Sequence, residues 1–267
     1  MRSCGSVFRL RFIAGLQYRA AAASGLVTQF VWGGMELLAF SAFARADAAA
    51  LPMELSQIAA YLWLQQAFLA LFMVTSWDPA LSDLIETGAV AYELVRPVDP
   101  YPYWFCHLAA GRVARAALRC WPILLFAVLL PEPYGLTLPP SAAHFALFLL
   151  SAVLALAVVT AFLLLINLVV FHTLSARGPK LVLGSLADLL SGAIIPLPFF
   201  PDGLRQAVEY SPFGAMQNLP LRIYCGNLST PEALQGVALQ LVWLAALSLL
   251  GQRWMRSALR RVVIQGG

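Results

Sequence analysis

The sequence predicts an all-α integral membrane protein with six transmembrane helices, and its composition carries most of that prediction. Of the 267 residues, 61% are hydrophobic and only 11% are charged. Soluble domains carry about 25% charged residues, so this chain has too few charged groups to cover a surface that faces water. The same apolar content excludes a disordered chain. We therefore expect much of its surface to contact lipid.

Six hydrophobic runs define the spans, within a single membrane domain that covers residues 1–267. Several runs exceed the length of about 18 residues that indicates a membrane-spanning helix. Because lipid offers the backbone no hydrogen-bond partners, each run is predicted as a helix, and none shows the alternation of a β-barrel strand. The remaining residues are too few for a separate nucleotide-hydrolysing domain. The spans lie at about 20–43, 56–75, 112–130, 145–171, 181–200 and 233–252.

Basic residues predict the orientation of these spans. If both termini are cytoplasmic, all of the 17 basic residues except Arg45, Arg205 and Arg222 lie in cytoplasmic segments. Such a bias is typical of the cytoplasmic side of membrane proteins. The net charge of +4 is explained by this placement, so nucleic acid is not expected as a partner.

Three segments outside the spans are predicted to be helical. Residues 7–19 mix apolar and basic side chains, which predicts an interfacial helix and leaves a disordered basic tail as the alternative. Residues 79–95 follow a helix-start signal at Asp78-Pro79, and Arg96-Pro97 ends them. Residues 199–231 predict two short helices at the outer membrane interface. The apolar face of the 79–95 helix comprises Leu81, Leu84, Ile85, Gly88, Tyr92 and Val95.

No residue pattern predicts an enzyme. The sequence lacks the GxxxxGK[ST] loop that binds ATP and the GxSxG and HExxH motifs of hydrolases. Its three histidines, His107, His144 and His172, lie at span ends on different sides of the membrane, so no metal site is expected. This chain therefore has no ATP-hydrolysing site of its own.

Polar residues inside the spans are the candidate functional residues, since such residues are costly in lipid. Glu36 and Asp188 are the only acids within the predicted spans. Small residues surround Asp188 and would let helices approach closely or leave room for a path. These polar residues either line a substrate path or a subunit contact, or they form hydrogen bonds inside the helix bundle. The candidates for the path or contact are Gln29, Glu36, Ser185, Asp188 and Ser191.

Two stretches of sequence resemble a known family. GAVAYELVRPVDP at 88–100 has the pattern G-x5-L-x-R-P, and IPLPFFPDGLRQAVEYSPFGAMQNLP at 195–220 is a proline-framed external segment. In this order, and with six spans, they resemble the permease subunit of ABC-2 type exporters, in a small six-span branch with the first motif after span two. The resemblance covers nearly the whole chain.

The resemblance implies a permease that forms the substrate path for ATP-driven efflux. A separate ATPase dimer would bind ATP and Mg, so this chain would need no cofactor. A second copy or a homologous permease would complete a homo- or heterodimer in the bacterial inner membrane, and residues 199–231 would be re-entrant. The helix at 79–95 would be the cytoplasmic coupling helix. Its ATPase-coupling residues would be Asp83, Glu86, Glu93, Arg96 and Pro97.

Two other classes of protein remain as alternatives. An ion-coupled carrier would use Asp188 or Glu36 as a proton relay, although such carriers commonly contain internal repeats and none is evident here. A membrane enzyme such as a lipid transferase would need clustered acids or histidines at one interface, and the sequence has no such cluster. An ATPase gene beside this one would favour the ABC permease over the carrier.

Overall fold

Helices form the regular secondary structure of the computed structural model, which describes residues 2–17, 19–47, 49, 51–76, 78–95, 97–173 and 175–260. A 3-10 turn, Leu197–Phe199, accompanies the α-helices. The α-helices are α1 (Arg2–Leu16), α2 (Arg19–Ala46), α3 (Leu55–Ala67), α4 (Leu69–Phe72), α5 (Ala80–Glu86), α6 (Val90–Leu94), α7 (Pro100–Leu129), α8 (Ala142–Thr173), α9 (Arg177–Leu190), α10 (Asp202–Glu209), α11 (Asn218–Tyr224) and α12 (Thr230–Leu259).

Three of the described helices are long and apolar enough to cross a membrane by length and composition. They are α8, α12 and the Gly25–Ala46 part of α2, which correspond to predicted spans four, six and one. The α8 helix contributes more buried residues to the largest described hydrophobic core than any other helix does. Large apolar side chains on the outer faces of α2, α7, α8 and α12 remain exposed, as expected for lipid contact.

The other three predicted spans differ from the helices that form. The second, 56–75, is divided at Phe68 into α3 and α4 and ends at Phe72. The third begins earlier than 112, at Pro100, because Asp99 accepts a hydrogen bond from the N–H group of Tyr101 (3.1 Å) and caps α7. Hydropathy along the chain therefore revealed neither the break at Phe68 nor the capped start of α7.

The fifth predicted span, 181–200, stops at Leu190 because a glycine terminates α9. Gly192 has φ of 82°, a left-handed conformation that glycine adopts without steric cost. The N–H groups of Ala193 and Gly192 donate to the carbonyls of Asp188 (3.0 Å) and Leu189 (3.4 Å). This Schellman pattern satisfies the last carbonyls of the helix and turns the chain.

The single helix predicted for 79–95 forms as two helices, so that prediction was wrong. Gly88, at φ of 74°, separates α5 from α6. The predicted apolar face divides accordingly. Leu81 and Ile85 are buried, whereas Tyr92 and Val95 are 80% and 81% exposed.

The two other segments predicted to be helical, 7–19 and 199–231, both contain helices. The N-terminal helix α1 begins at Arg2, earlier than residue 7, and packs on α7, where an added Cβ on Gly15 would lie 2.6 Å from Ala114 Cβ. The predicted external segment, 199–231, contains α10 and α11. Arg222 of α11 forms an ion pair with Glu209 of α10, which ties the two short helices together.

Candidate functional site

The loop between α4 and α5, residues 73–79, is bound by a buried carboxylate of α9. Asp188 Oδ1 accepts a hydrogen bond from the N–H group of Val74 at 2.6 Å. Asp188 Oδ2 accepts from the N–H group of Thr75 at 3.1 Å and also from the Thr75 hydroxyl. Only 1% of Asp188 is exposed. A carboxylate so deeply buried needs such donors, and here the α4–α5 loop supplies all three.

The same loop is bound by a buried guanidinium of α7. Arg112 donates from Nε to the carbonyl of Leu71 and from Nη1 to that of Ser76, each at 3.0 Å. Its Nη2 donates to the carbonyl of Met73. Because the fork of a guanidinium presents several donors at fixed angles, Arg112 binds three carbonyls in and after α4, of which that of Met73 also accepts from the N–H group of Ser76 (3.2 Å). We refer to Asp188, Arg112 and the α4–α5 loop together as the loop clamp.

A glycine allows α9 to approach this loop closely. A Cβ added to Gly184 would lie 3.1 Å from Thr75 Cγ2, and Gly184 precedes Asp188 by one helical turn. The expectation that small residues near Asp188 permit close approach is confirmed. Ser191 is buried and donates to the backbone carbonyl of Asp188 (3.2 Å), whereas Ser185 is exposed.

The clamp gives Asp188 the role that the sequence left as the alternative, a hydrogen bond inside the bundle. Its partners lie in its own chain, 113 and 114 residues away. Sequence reasoning missed Arg112, which it counted only as a cytoplasmic cation. The available signal was an arginine at the start of an apolar run, and its 2% exposure shows that it is not a surface charge.

The two polar candidates of α2 meet a glutamine of α3. Gln29 Nε2 donates to the backbone carbonyl of Gln66 (3.0 Å), and Gln66 Nε2 donates to Glu36 Oε2 (3.3 Å). Gln66 is 1% exposed and Glu36 is half-buried. Close packing at Gly33, whose added Cβ would lie 2.9 Å from Gln66 Cγ, permits these contacts. Gln29 and Glu36 therefore lie at the interface between α2 and α3. They make none of the hydrogen bonds of the loop clamp described above.

Polar side chains of α3 also bind the turn that ends α9. Tyr61 donates its hydroxyl to the carbonyl of Gly192 (3.1 Å), and Gln65 Nε2 donates to that of Ala193 (3.0 Å). Gln217, which precedes α11, donates to the same Gly192 carbonyl (3.3 Å). The end of α9 is therefore hydrogen-bonded both to α3 and to the residue that precedes α11.

The five residues predicted to couple to an ATPase have different environments. Glu86 accepts a hydrogen bond from the N–H group of Ala176, the residue before α9, so it is engaged within the chain. Asp83 and Pro97 are exposed, and Glu93 is partly buried. Arg96 lies outside the described residues. Tyr92 and Val95, which the sequence assigned to the apolar face of one helix, are exposed.

Comparison with protein-family models identifies one that covers most of the chain. The model, described as ABC-2 family transporter protein, matches residues 30–266. The match includes α3 to α12 and both sides of the loop clamp. No curated protein matches the sequence.

Proposed function

Because the chain belongs to the ABC-2 family of transporter proteins, we propose that it is the permease subunit of an ATP-driven exporter. Family membership and its apolar helices make it a multi-pass membrane protein and a transport permease rather than an enzyme. In the proposed complex, a separate ATPase dimer binds ATP and Mg. This chain and a second permease, identical or homologous, form the substrate path.

The proposed topology has six spans and cytoplasmic termini in a bacterial inner membrane. The spans are α2, α3 with α4, α7, α8, α9 with the turn after it, and α12. The distribution of basic residues supports the orientation, and the exposed apolar faces of α2, α7, α8 and α12 support lipid contact. In this arrangement α5 and α6 are cytoplasmic, whereas α10 and α11 are external and re-entrant.

The loop clamp is the observation that carries the coupling proposal. Through it, the loop that leads into α5 is hydrogen-bonded to α7 by Arg112 and to α9 by Asp188. Any displacement of α5 and α6 by a closing ATPase dimer must therefore move two proposed spans or break buried hydrogen bonds, and breaking such bonds is expensive. Transmission between two sites requires a packed element that both sites bias, and the clamp has the connections for that role.

We propose that the ATPase contacts an exposed surface formed by Asp83, Tyr92, Val95 and Pro97. Large apolar side chains at 80% and 81% exposure suit a protein contact. Glu93 and Arg96 stay in the proposed contact region. Glu86 is assigned to α9 instead, because its carboxylate already accepts the hydrogen bond from Ala176.

The ion-coupled carrier is less well supported by the same contacts. Both oxygens of Asp188 are engaged, and releasing them to relay a proton would leave the N–H groups of Val74 and Thr75 unpaired. Glu36 does not take part in these contacts with the α4–α5 loop.

Copurification with an ATPase tests the proposal. We would express the chain with a candidate P-loop ATPase and compare the wild type with Tyr92→Asp/Val95→Asp, which places charges on the proposed contact surface. Leu138→Asp is the matched control, since Leu138 is 89% exposed between α7 and α8. Loss of the ATPase from the double variant alone is expected. Transport in vesicles that is driven by an ion gradient and does not depend on ATP would overturn the proposal.

A further inference from the structure

A cavity of about 500 Å³ lies between the C-terminal half of α2 and the chain that follows α9. Its size falls in the range of about 300–1,000 Å³ that is typical of small-molecule sites. Aliphatic and aromatic side chains form most of its wall. Two carboxylates also line it, that of Glu36 in α2 and that of Asp47 directly after α2. The residues that line it include Glu36, Phe40, Phe43, Asp47, Ile195 and Phe199.

The charges in this cavity have one sign. Glu36 and Asp47 are its ionisable residues, and no described residue that lines it is basic. Glu36 lies in α2 and Asp47 directly follows that helix, eleven residues later, a spacing that corresponds to about 16 Å along a helix. Glu36 is half-buried, accepts a hydrogen bond on Oε2 from Gln66 and is also hydrogen-bonded by the Trp32 side chain, while Asp47 is exposed directly after α2. The site therefore has an acidic inner position and an acidic entrance.

Aromatic rings lie between the two carboxylates. The rings of Phe40 and Phe199 are in contact, with centroids 4.8 Å apart. Phe43 follows Phe40 by about one turn and is 64% exposed. Aromatic faces attract cations as well as apolar groups, so rings and carboxylates favour the same kind of ligand.

We propose that this cavity binds a hydrophobic cation, meaning an amine or other cationic group on an apolar or aromatic body. The cationic group would pair with Glu36, and the body would contact Phe40, Phe199 and Ile195. An anion would be repelled by both carboxylates, and a neutral acyl chain would leave Glu36 against an apolar group without compensation. Resting on the proposed function, the second part of the inference is that hydrophobic cations are the exported substrate class.

Two ions of equal shape and opposite charge provide the test. Binding of tetraphenylphosphonium and of tetraphenylborate would be measured on the purified protein in lipid nanodiscs, without ATP. Saturable binding of the cation, at least about tenfold tighter than that of the anion, is expected. Equal affinity for the two ions would overturn the proposal, because an apolar cavity alone does not select charge.

Two variants and a control locate the binding. Glu36→Gln keeps an oxygen that accepts from Gln66 and removes the charge, so it should weaken cation binding at least about tenfold. Phe199→Ala should weaken it as well, and Glu132→Gln, which alters an exposed acid away from the cavity, should not. Unchanged affinity in Glu36→Gln protein that elutes as wild type would overturn the assignment.

A second copy of the chain is the competing occupant. In a background with the four cysteines replaced by alanine, Phe43→Cys should not crosslink two copies. Efficient crosslinking, with no cation bound, would assign the cavity to a subunit contact and overturn the proposal. If the cation binds but is not exported with ATP, the proposed substrate class is refuted and the binding site is not. If another compound is exported with ATP and no cation binds, this site is refuted and the proposed function still stands.

Discussion

Asp188 and Arg112 bind the same short loop through complementary backbone groups. Asp188 accepts from the N–H groups of Val74 and Thr75, and Arg112 donates to the carbonyls of Met73 and Ser76. Neither side chain needs a direct ion pair, since the loop supplies each with partners of the opposite polarity. The path from α5 to the proposed spans α7 and α9 therefore passes through buried hydrogen bonds.

Replacing Asp188 should destabilise the protein as well as impair transport. Asp188→Leu leaves the buried N–H group of Val74 unpaired, at about 1–3 kcal/mol, and removes the acceptor of the part-buried Thr75 N–H group. Asp188→Asn should cost less because one acceptor oxygen remains. Thermal unfolding in detergent measures the effect, with the exposed Ser185→Ala as the control on the same helix. A stable Asp188→Leu protein that fails only in transport would instead favour a role in the substrate path.

Replacing Arg112 should uncouple ATP hydrolysis from transport. Arg112→Lys retains a charge, but an ammonium group does not reproduce the planar fork that contacts three carbonyls. Export per ATP hydrolysed should fall several-fold in vesicles that contain the ATPase. Arg253→Lys, at an exposed position of α12, is the control, because Arg115 itself pairs with Asp78 of the clamped loop. An equal change in both variants would contradict a specific role of the clamp.

Replacing Glu86 should affect the start of α9 more than ATPase binding. Glu86→Lys removes the acceptor of the Ala176 N–H group and places a cation beside a helix N-terminus, which the helix dipole disfavours. Lower thermal stability is expected, and Glu86→Gln should be milder. Asp83→Lys, on an exposed position of α5, is the comparison. Loss of the ATPase with unchanged stability in Glu86→Lys would return Glu86 to the coupling surface.

Cysteine labelling should confirm the proposed orientation. Cys225 is buried, so it is a poor reporter, and a cysteine-free background with Gln206→Cys or Thr87→Cys is preferable. An impermeant maleimide should label the first variant in intact cells and the second only after permeabilisation. Labelling of Thr87→Cys in intact cells, or of a C-terminal tag from outside, would reverse the topology.

The amino-acid sequence by itself determined the class of this protein. Few charges and long apolar runs require helices, because only a backbone that pairs within its own segment is stable in lipid. Asp188 and Glu36 were identifiable as special residues for the same reason, since an acid in an apolar run needs a compensating partner. The resemblance in residues 88–100 and 195–220 also led to the family that the match to residues 30–266 shows.

The tertiary structure alone decided what those residues contact. Asp188 lies 114 residues from Val74, and Arg112 lies 36 residues from Ser76, so no periodicity along the chain links them. The pairing arises when α7 and α9 pack against the end of α4 and its unpaired backbone groups need partners. The division of the 79–95 helix at Gly88 changes which residues face the core: Val90 of α6 packs in the same core as Ile85, while Tyr92 stays exposed.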